Sequence, residues 1–145
     1  DRHSKTIIAM NIELLLDYCV RFYERQFITR NEVNRDILVR FENVLDEYFV
    51  SDRPQQIGLP SVGYCAGKLH LSPNYFGDLI KKETGRTAQE HIQMKLIDLA
   101  KERVFDTGKS ISEIAYELGF KYPQHFTRLF KRIVGQTPNQ YRMMN

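Results

Sequence analysis

Cysteine is scarce in this chain, with Cys19 and Cys65 the two among 145 residues. Neither stands at a metal-ligating spacing from the other or from the scattered histidines His3, His70, His91 and His125. A zinc module and a disulfide framework are therefore excluded as organising features. Both thiols fall in apolar helical patterns and are expected buried and reduced, as in a cytosolic protein. Long apolar runs are also missing. Nothing approaches the ~18–20 residues that a membrane-crossing helix needs, and the first residues do not read as a charged-then-apolar leader. The chain opens on Asp1, already inside a helical pattern, as expected of a segment of something longer. Catalytic grammar is absent too. Glu102 and Asp106 share one helix side, but no nucleophile–base pair, glycine-rich phosphate loop or metal cluster accompanies them. An enzyme is set aside, and no cofactor is implied.

What is present describes an ordinary globular chain, 42% hydrophobic and 27% charged. The formal charge of +3 hides an asymmetry. Residues 1–58 carry eight Lys/Arg against ten Asp/Glu, and residues 59–145 carry thirteen against eight. A polyanion is expected to bind the second part.

No stretch favours strands for long, so the fold class is all-α. Ile8, Ile12, Leu15, Cys19 and Phe22 recur at heptad-like spacing on one helix face. Thr29 with Glu32 reads as a capping box opening a second helix, with Ile37, Phe41, Val44 and Tyr48 on its stripe. Residues 1–50 are thus expected to hold an antiparallel helical hairpin, over 5–50. Its apolar faces exceed what two helices cover. Either they pack on another part of the protein or they form a homodimer seam. SDRPQQIGLP, residues 51–60, reads as a linker or at least a tight connection.

A repeat follows. Pro73, Phe76, Leu79, Lys81, Gly85 and Thr87 return as Pro123, Phe126, Leu129, Lys131, Gly135 and Thr137, all 50 positions later. Internal duplication is the reading to beat. In the second copy Ser110 and Glu113 cap a short helix with Ile111, Ile114, Ala115 and Leu118 inward. Gly119 ends it, Phe120 plugs the turn, and Pro123 opens the next helix. Phe126, Leu129 and Phe130 point inward, leaving Gln124, His125, Thr127, Arg128 and Lys131 outward. This is a helix-turn-helix over 110–134. Its second helix suits a major groove, with Arg128 able to pair with guanine and Gln124 with adenine.

The first copy, 61–84, follows the same plan from a Ser61 cap. Its second helix turns Asn74, Tyr75, Gly77, Asp78 and Lys81 outward, and Asp78 stands where Arg128 stands in the second copy. Base-reading residues are expected to be Asn74, Tyr75, Asp78, Gln124, His125, Thr127 and Arg128. Ser72, Lys81, Lys121 and Lys131 are expected at phosphates. Thr87 caps a linking helix over 87–105, roughly 28 Å long at 1.5 Å per residue. That length could hold both reading helices on one side of a duplex, whose successive groove faces lie about 34 Å apart. The rival is a helical module that binds proteins.

The segment SISEIAYELGFKYPQHFTRLFKRIVGQTPNQYR, residues 110–142, resembles the second helix-turn-helix and tail of the arabinose-regulator (AraC/XylS) family of bacterial transcription factors. The likeness includes Ala115, Gly119-Phe120, Phe126, Phe130-Lys131, Gly135, Pro138 and Tyr141-Arg142. LSPNYFGDLIKKETG, residues 71–85, is similar to the first copy, and the resemblance covers about 59–143. It departs at Gly63, Gly67 and Gly77. The resemblance implies two helix-turn-helix subdomains within 61–143 joined by the long helix. It also implies a promoter operator as ligand, activation or repression of transcription with RNA polymerase as partner, and a sensory or dimerisation region elsewhere in the native chain.

Overall fold

The computed structural model describes residues 2–144, apart from the side chains of residues 27 and 28. Eight helices are described: α1 Arg2–Val50, α2 Arg53–Ile57, α3 Val62–Lys68, α4 Pro73–Thr84, α5 Ala88–Arg103, α6 Ile111–Leu118, α7 Pro123–Val134 and α8 Pro138–Met144. The chain divides into two compact units, Asp1–Ile37 and Leu38–Asn145.

The first unit holds the apolar stripe of α1. Ile8, Ile12, Leu15 and Phe22 are all more than half exposed, and Cys19 is exposed as well. The expected burial of Cys19 is thus not met, because no described residue covers that helix face. The expected hairpin is also absent: α1 is one helix from Arg2 to Val50. Thr29 does not cap a new helix. Its hydroxyl donates to the Arg25 carbonyl at 2.9 Å, the back-bond of a residue inside a helix. Neither glycine nor proline occurs between residues 2 and 50, so nothing there breaks the i→i−4 ladder.

The second unit is built on aromatic and aliphatic side chains at helical spacing. Phe76, Ile80, Leu96, Ile97, Ile114, Leu118, Phe126 and Phe130 are all buried. Sequence-local caps set the helix starts. Ser61, Thr87 and Ser110 each accept the backbone N–H three residues on, as expected. Ser72 does the same for α4. Each such cap is worth about 1 kcal/mol. Thr137 and Gln140 form a reciprocal capping box, the Thr137 N–H on Gln140 Oε1 at 3.0 Å and the Gln140 N–H on Thr137 Oγ1 at 3.2 Å. It opens α8.

Two further expectations are revised. Residues 51–60 do not form a simple linker, because α2 lies within them and Pro54 and Pro60 are buried. A proline near the first helical position starts a helix instead of breaking one. The linking helix is Ala88–Arg103, 16 residues long, or roughly 24 Å instead of 28 Å. Beyond its end Phe105 stacks on Tyr141, ring centroids 5.4 Å apart. Arg142 holds the following loop: its Nε donates to the Val104 carbonyl at 2.5 Å, and Nη2 donates to those of Asp106 at 3.3 Å and Lys109 at 2.9 Å.

Candidate nucleic-acid interface

The two copies share a backbone frame. In the second, the Gly119 N–H donates to Tyr116 O at 3.1 Å and the Phe120 N–H to Ala115 O at 3.0 Å. In the first, the His70 N–H donates to Gly67 O at 3.1 Å and the Leu71 N–H to Ala66 O at 2.9 Å. Both close the first helix with a residue in the left-handed region, Gly119 at φ 105° and His70 at φ 58°. A histidine there is strained where glycine is not. Phe120, 7% exposed, then packs on Phe126 with centroids 5.3 Å apart. That contact fixes the start of α7 against its own turn.

The two candidate reading faces differ in chemistry. On α7 and the turn before it, Lys121, Gln124, His125, Arg128, Lys131 and Arg132 are exposed. The sequence of α7 contains no acid. Thr127 is half-buried and so only partly presented to solvent, against the expectation of an outward residue. The Lys121 ammonium lies 5.5 Å from the Tyr122 ring centroid, and Tyr122 meets the His125 ring edge-on at 5.4 Å. The turn therefore presents a cation and an imidazole around one phenol. Arg132 reaches across to α5, its Nη2 donating to Gln93 Oε1 at 3.2 Å. His125, Arg128 and Arg132 line a groove together with Gln89, Gln93 and Leu59.

On α4, Asn74, Tyr75 and Asp78 are exposed, as is Ser72 at its cap. The N-terminal N–H groups of α4 add the partial positive charge that favours a phosphate. Lys81 is exposed but its ammonium donates to the Gly85 carbonyl at 2.9 Å, closing the C-terminal end of the helix. Gly77 is half-buried, and a Cβ placed there would meet nothing within 4 Å. Packing does not demand a glycine at that position.

The structure brings Gln124, His125 and Arg128 together on one exposed helix and Asn74, Tyr75 and Asp78 on the other. Sequence reasoning missed the Arg132–Gln93 bond between α7 and α5, and a cluster at Tyr64. There Arg53 Nη1 donates to the Tyr64 hydroxyl, with Arg53 Cζ 5.9 Å and Lys68 Nζ 5.6 Å from the ring centroid. The i to i+4 spacing of Tyr64 and Lys68 signals their proximity. Nothing local signals Arg53. Among the described residues no group of acids, histidines and cysteines could hold a metal ion, and no helix is long and apolar enough to cross a membrane.

Comparison with known proteins agrees with this geometry. The family model described as a helix-turn-helix domain matches residues 65–144. The TetD protein of transposon Tn10 from Escherichia coli is 34% identical over 134 residues, covering 92% of this chain and 83% of TetD. The HTH-type transcriptional regulator YtdP of Bacillus subtilis is 36% identical over 77 residues, 53% of this chain but 10% of YtdP. The chain thus spans only a small part of that longer relative. The solved structure of the C-terminal domain of AraT, a response regulator from Geobacillus stearothermophilus, matches with a TM-score of 0.65 at 27% identity, over 75% of this chain and 85% of that one. With more than half of its length on the family model and TetD matched along most of its own, this chain belongs to the AraC/XylS family of helix-turn-helix proteins.

Proposed function

We infer that the chain is a transcription regulator that binds double-stranded DNA sequence-specifically, placing α4 and α7 in adjacent major grooves at a promoter. The observation that carries this reading is the doubled helix-turn-helix frame ending in an α7 whose exposed face holds basic and amide side chains without an acid. Gln124, His125 and Arg128 contact bases from α7, with Thr127 at the edge of that face. Asn74, Tyr75 and Asp78 do so from α4, Asp78 as an acceptor for cytosine N4. Ser72, Lys81, Lys121 and Lys131 meet phosphates. Lys81 must leave the Gly85 carbonyl to do so.

The regulator acts in the cytoplasm, activating or repressing with RNA polymerase as its partner. Its exposed stripe of Ile8, Ile12, Leu15, Cys19 and Phe22 supports self-association through α1, measurable by sedimentation of the wild-type chain beside Leu15→Glu.

Selection of bound duplexes from a random pool tests the central reading and yields the operator. The three lysine–phosphate contacts correspond to a log–log salt slope of about −2.7. Arg128→Ala is expected to relax the base preference and weaken operator binding by about 1–3 kcal/mol. Lys131→Ala should weaken all sequences alike and flatten the slope by about one unit. A chain that binds no duplex at low salt, yet captures helical protein partners, would instead be an interaction module.

A further inference from the structure

Residues 41–60 lie outside both helix-turn-helix copies and nevertheless touch each of them. Phe41, 2% exposed, meets Phe76 of α4 edge-on with centroids 4.9 Å apart and His91 of α5 at 6.1 Å. Asp46 pairs with Lys95 of α5, and the Phe49 carbonyl accepts from Arg103 Nη2 at 3.4 Å. Tyr48, also 2% exposed, packs its ring on Tyr64 of α3 at 5.1 Å. Its hydroxyl donates to the Gly58 carbonyl at 2.5 Å. Burial and then the neighbouring Tyr64 push this phenol above its usual pKa, so it stays a donor.

Gly58 in turn lies on the second copy. A Cβ added to Gly119 would stand 2.9 Å from Gly58 C, 3.0 Å from Gly58 O and 3.1 Å from Leu59 N. Gly119 closes α6, one residue before the Phe120 that anchors α7. A line thus runs from α4 to Phe41, along the α1 backbone to Tyr48, and on through Gly58 to Gly119 and the turn into α7.

We propose that the end of α1 and the strap through α2 are a brace that sets the angle between the two reading helices, with the Tyr48 hydroxyl as its latch. Two binding modules held at a fixed geometry engage a matching duplex as one ligand, because the second contact forms at high effective concentration. A loosened brace lowers that concentration without altering either reading face. Tyr48 is therefore a positioning residue for operator binding, although it touches no DNA. The brace also gives a route by which displacement of the last turns of α1 would change operator affinity. The proposal rests on the DNA-binding reading above.

The test is Tyr48→Phe in the full chain, with thermal melting to verify the fold. Two duplexes are taken from the random-pool selection, one with both half-contacts and one with the α7 half-contact alone, together with spacers lengthened or shortened by one base pair. Loss of one hydrogen bond of ordinary strength predicts roughly five- to tenfold weaker binding to the two-contact duplex. Binding to the one-contact duplex stays unchanged, and discrimination between spacers weakens. Asp46→Ala, which releases the exposed tie to Lys95, is expected to act in the same direction and carries the test if Tyr48→Phe does not fold. Equal losses on both duplexes, or an unchanged spacer profile, would overturn the brace while leaving DNA binding intact. If the wild-type chain bound neither duplex, the DNA reading itself would fall and take the brace with it.

Discussion

Gly119 carries two separate demands, and one substitution measures their sum. Its φ of 105° lies in the left-handed region, where an alanine is disfavoured by about 1–2 kcal/mol. Its missing side chain also leaves room for the strap: an added Cβ would sit 2.9–3.1 Å from three backbone atoms of Gly58 and Leu59. Backbone cannot swing aside as a side-chain tip can, so the strap must shift, at about 1–3 kcal/mol. Gly119→Ala is therefore expected to destabilise by about 2–5 kcal/mol, a large share of the roughly 5–15 kcal/mol typical of a domain. Gly135 supplies the control, since it ends α7 at φ 92° with nothing within 4 Å of where a Cβ would stand. Gly135→Ala should lose only the conformational part, about 1–2 kcal/mol. Urea unfolding of both variants beside the wild type, followed by far-ultraviolet circular dichroism, gives the two losses under one protocol. Equal midpoint shifts would refute the claim that the strap is pressed against the second copy.

Three further outcomes are expected. Arg142→Ala removes a guanidinium that satisfies the Val104, Asp106 and Lys109 carbonyls and should destabilise by about 2–3 kcal/mol; Arg142→Lys, lacking the planar fork, should recover little in the same urea assay. His70→Gly places glycine at φ 58° and should raise stability by about 1 kcal/mol; a loss would show that the imidazole makes a contact outweighing the strain. Burial pushes the Cys65 thiol up to about 11 from 9.0. The folded state then keeps a proton that the unfolded state gives up, so this contribution is fully present below pH 9 and is lost as pH rises towards 11, by roughly 2–3 kcal/mol. Cys65→Ala should flatten that part of the pH–stability curve, while the raised Tyr48 phenol adds a decline of the same sign above pH 10.

The parts of the fold that could be read from the sequence are those decided within a few residues. Caps at Ser61, Thr87 and Ser110, the glycine stop at Gly119 and the inward aromatics Phe76, Phe126 and Phe130 each follow from local spacing. The 50-residue offset then turns two local patterns into one duplicated architecture. Expectation and structure part where a local signal has two meanings. Thr29 and Glu32 have capping-box spacing, but with no breaker nearby the Thr29 hydroxyl folds back on Arg25 and α1 continues. Prolines in residues 51–60 suggest a linker, yet the same residue type opens α2. The contacts that make this strap structural are long-range. The Tyr48 hydroxyl on Gly58 and the Gly58 backbone on Gly119 leave no periodicity to detect. Among the candidate reading residues, exposure of Asn74, Tyr75, Asp78, Gln124, His125 and Arg128 agrees with the helical register, whereas Thr127 is half-buried.

The two copies keep one backbone frame and diverge in the groups mounted on it. The α7 sequence carries His125, Arg128, Lys131 and Arg132 without an acid, whereas α4 sets Asp78 and Glu83 against Lys81 and Lys82. A phosphate-rich ligand is thus attracted chiefly by the second copy. At the position of Arg128 the first copy presents a carboxylate, which repels phosphates and tolerates few base partners. At the position of Thr127 it presents Gly77, with open space around the missing side chain. Such a helix adds little affinity when it docks alone. On the DNA-binding reading proposed above, its contribution depends on being delivered to its groove by the second copy, and so on how firmly the intervening structure holds the pair. On the same reading, the weaker the chemistry of α4, the more operator recognition would rest on geometry, and the more the proposed Tyr48 latch, a buried phenol far from either candidate reading face, would matter.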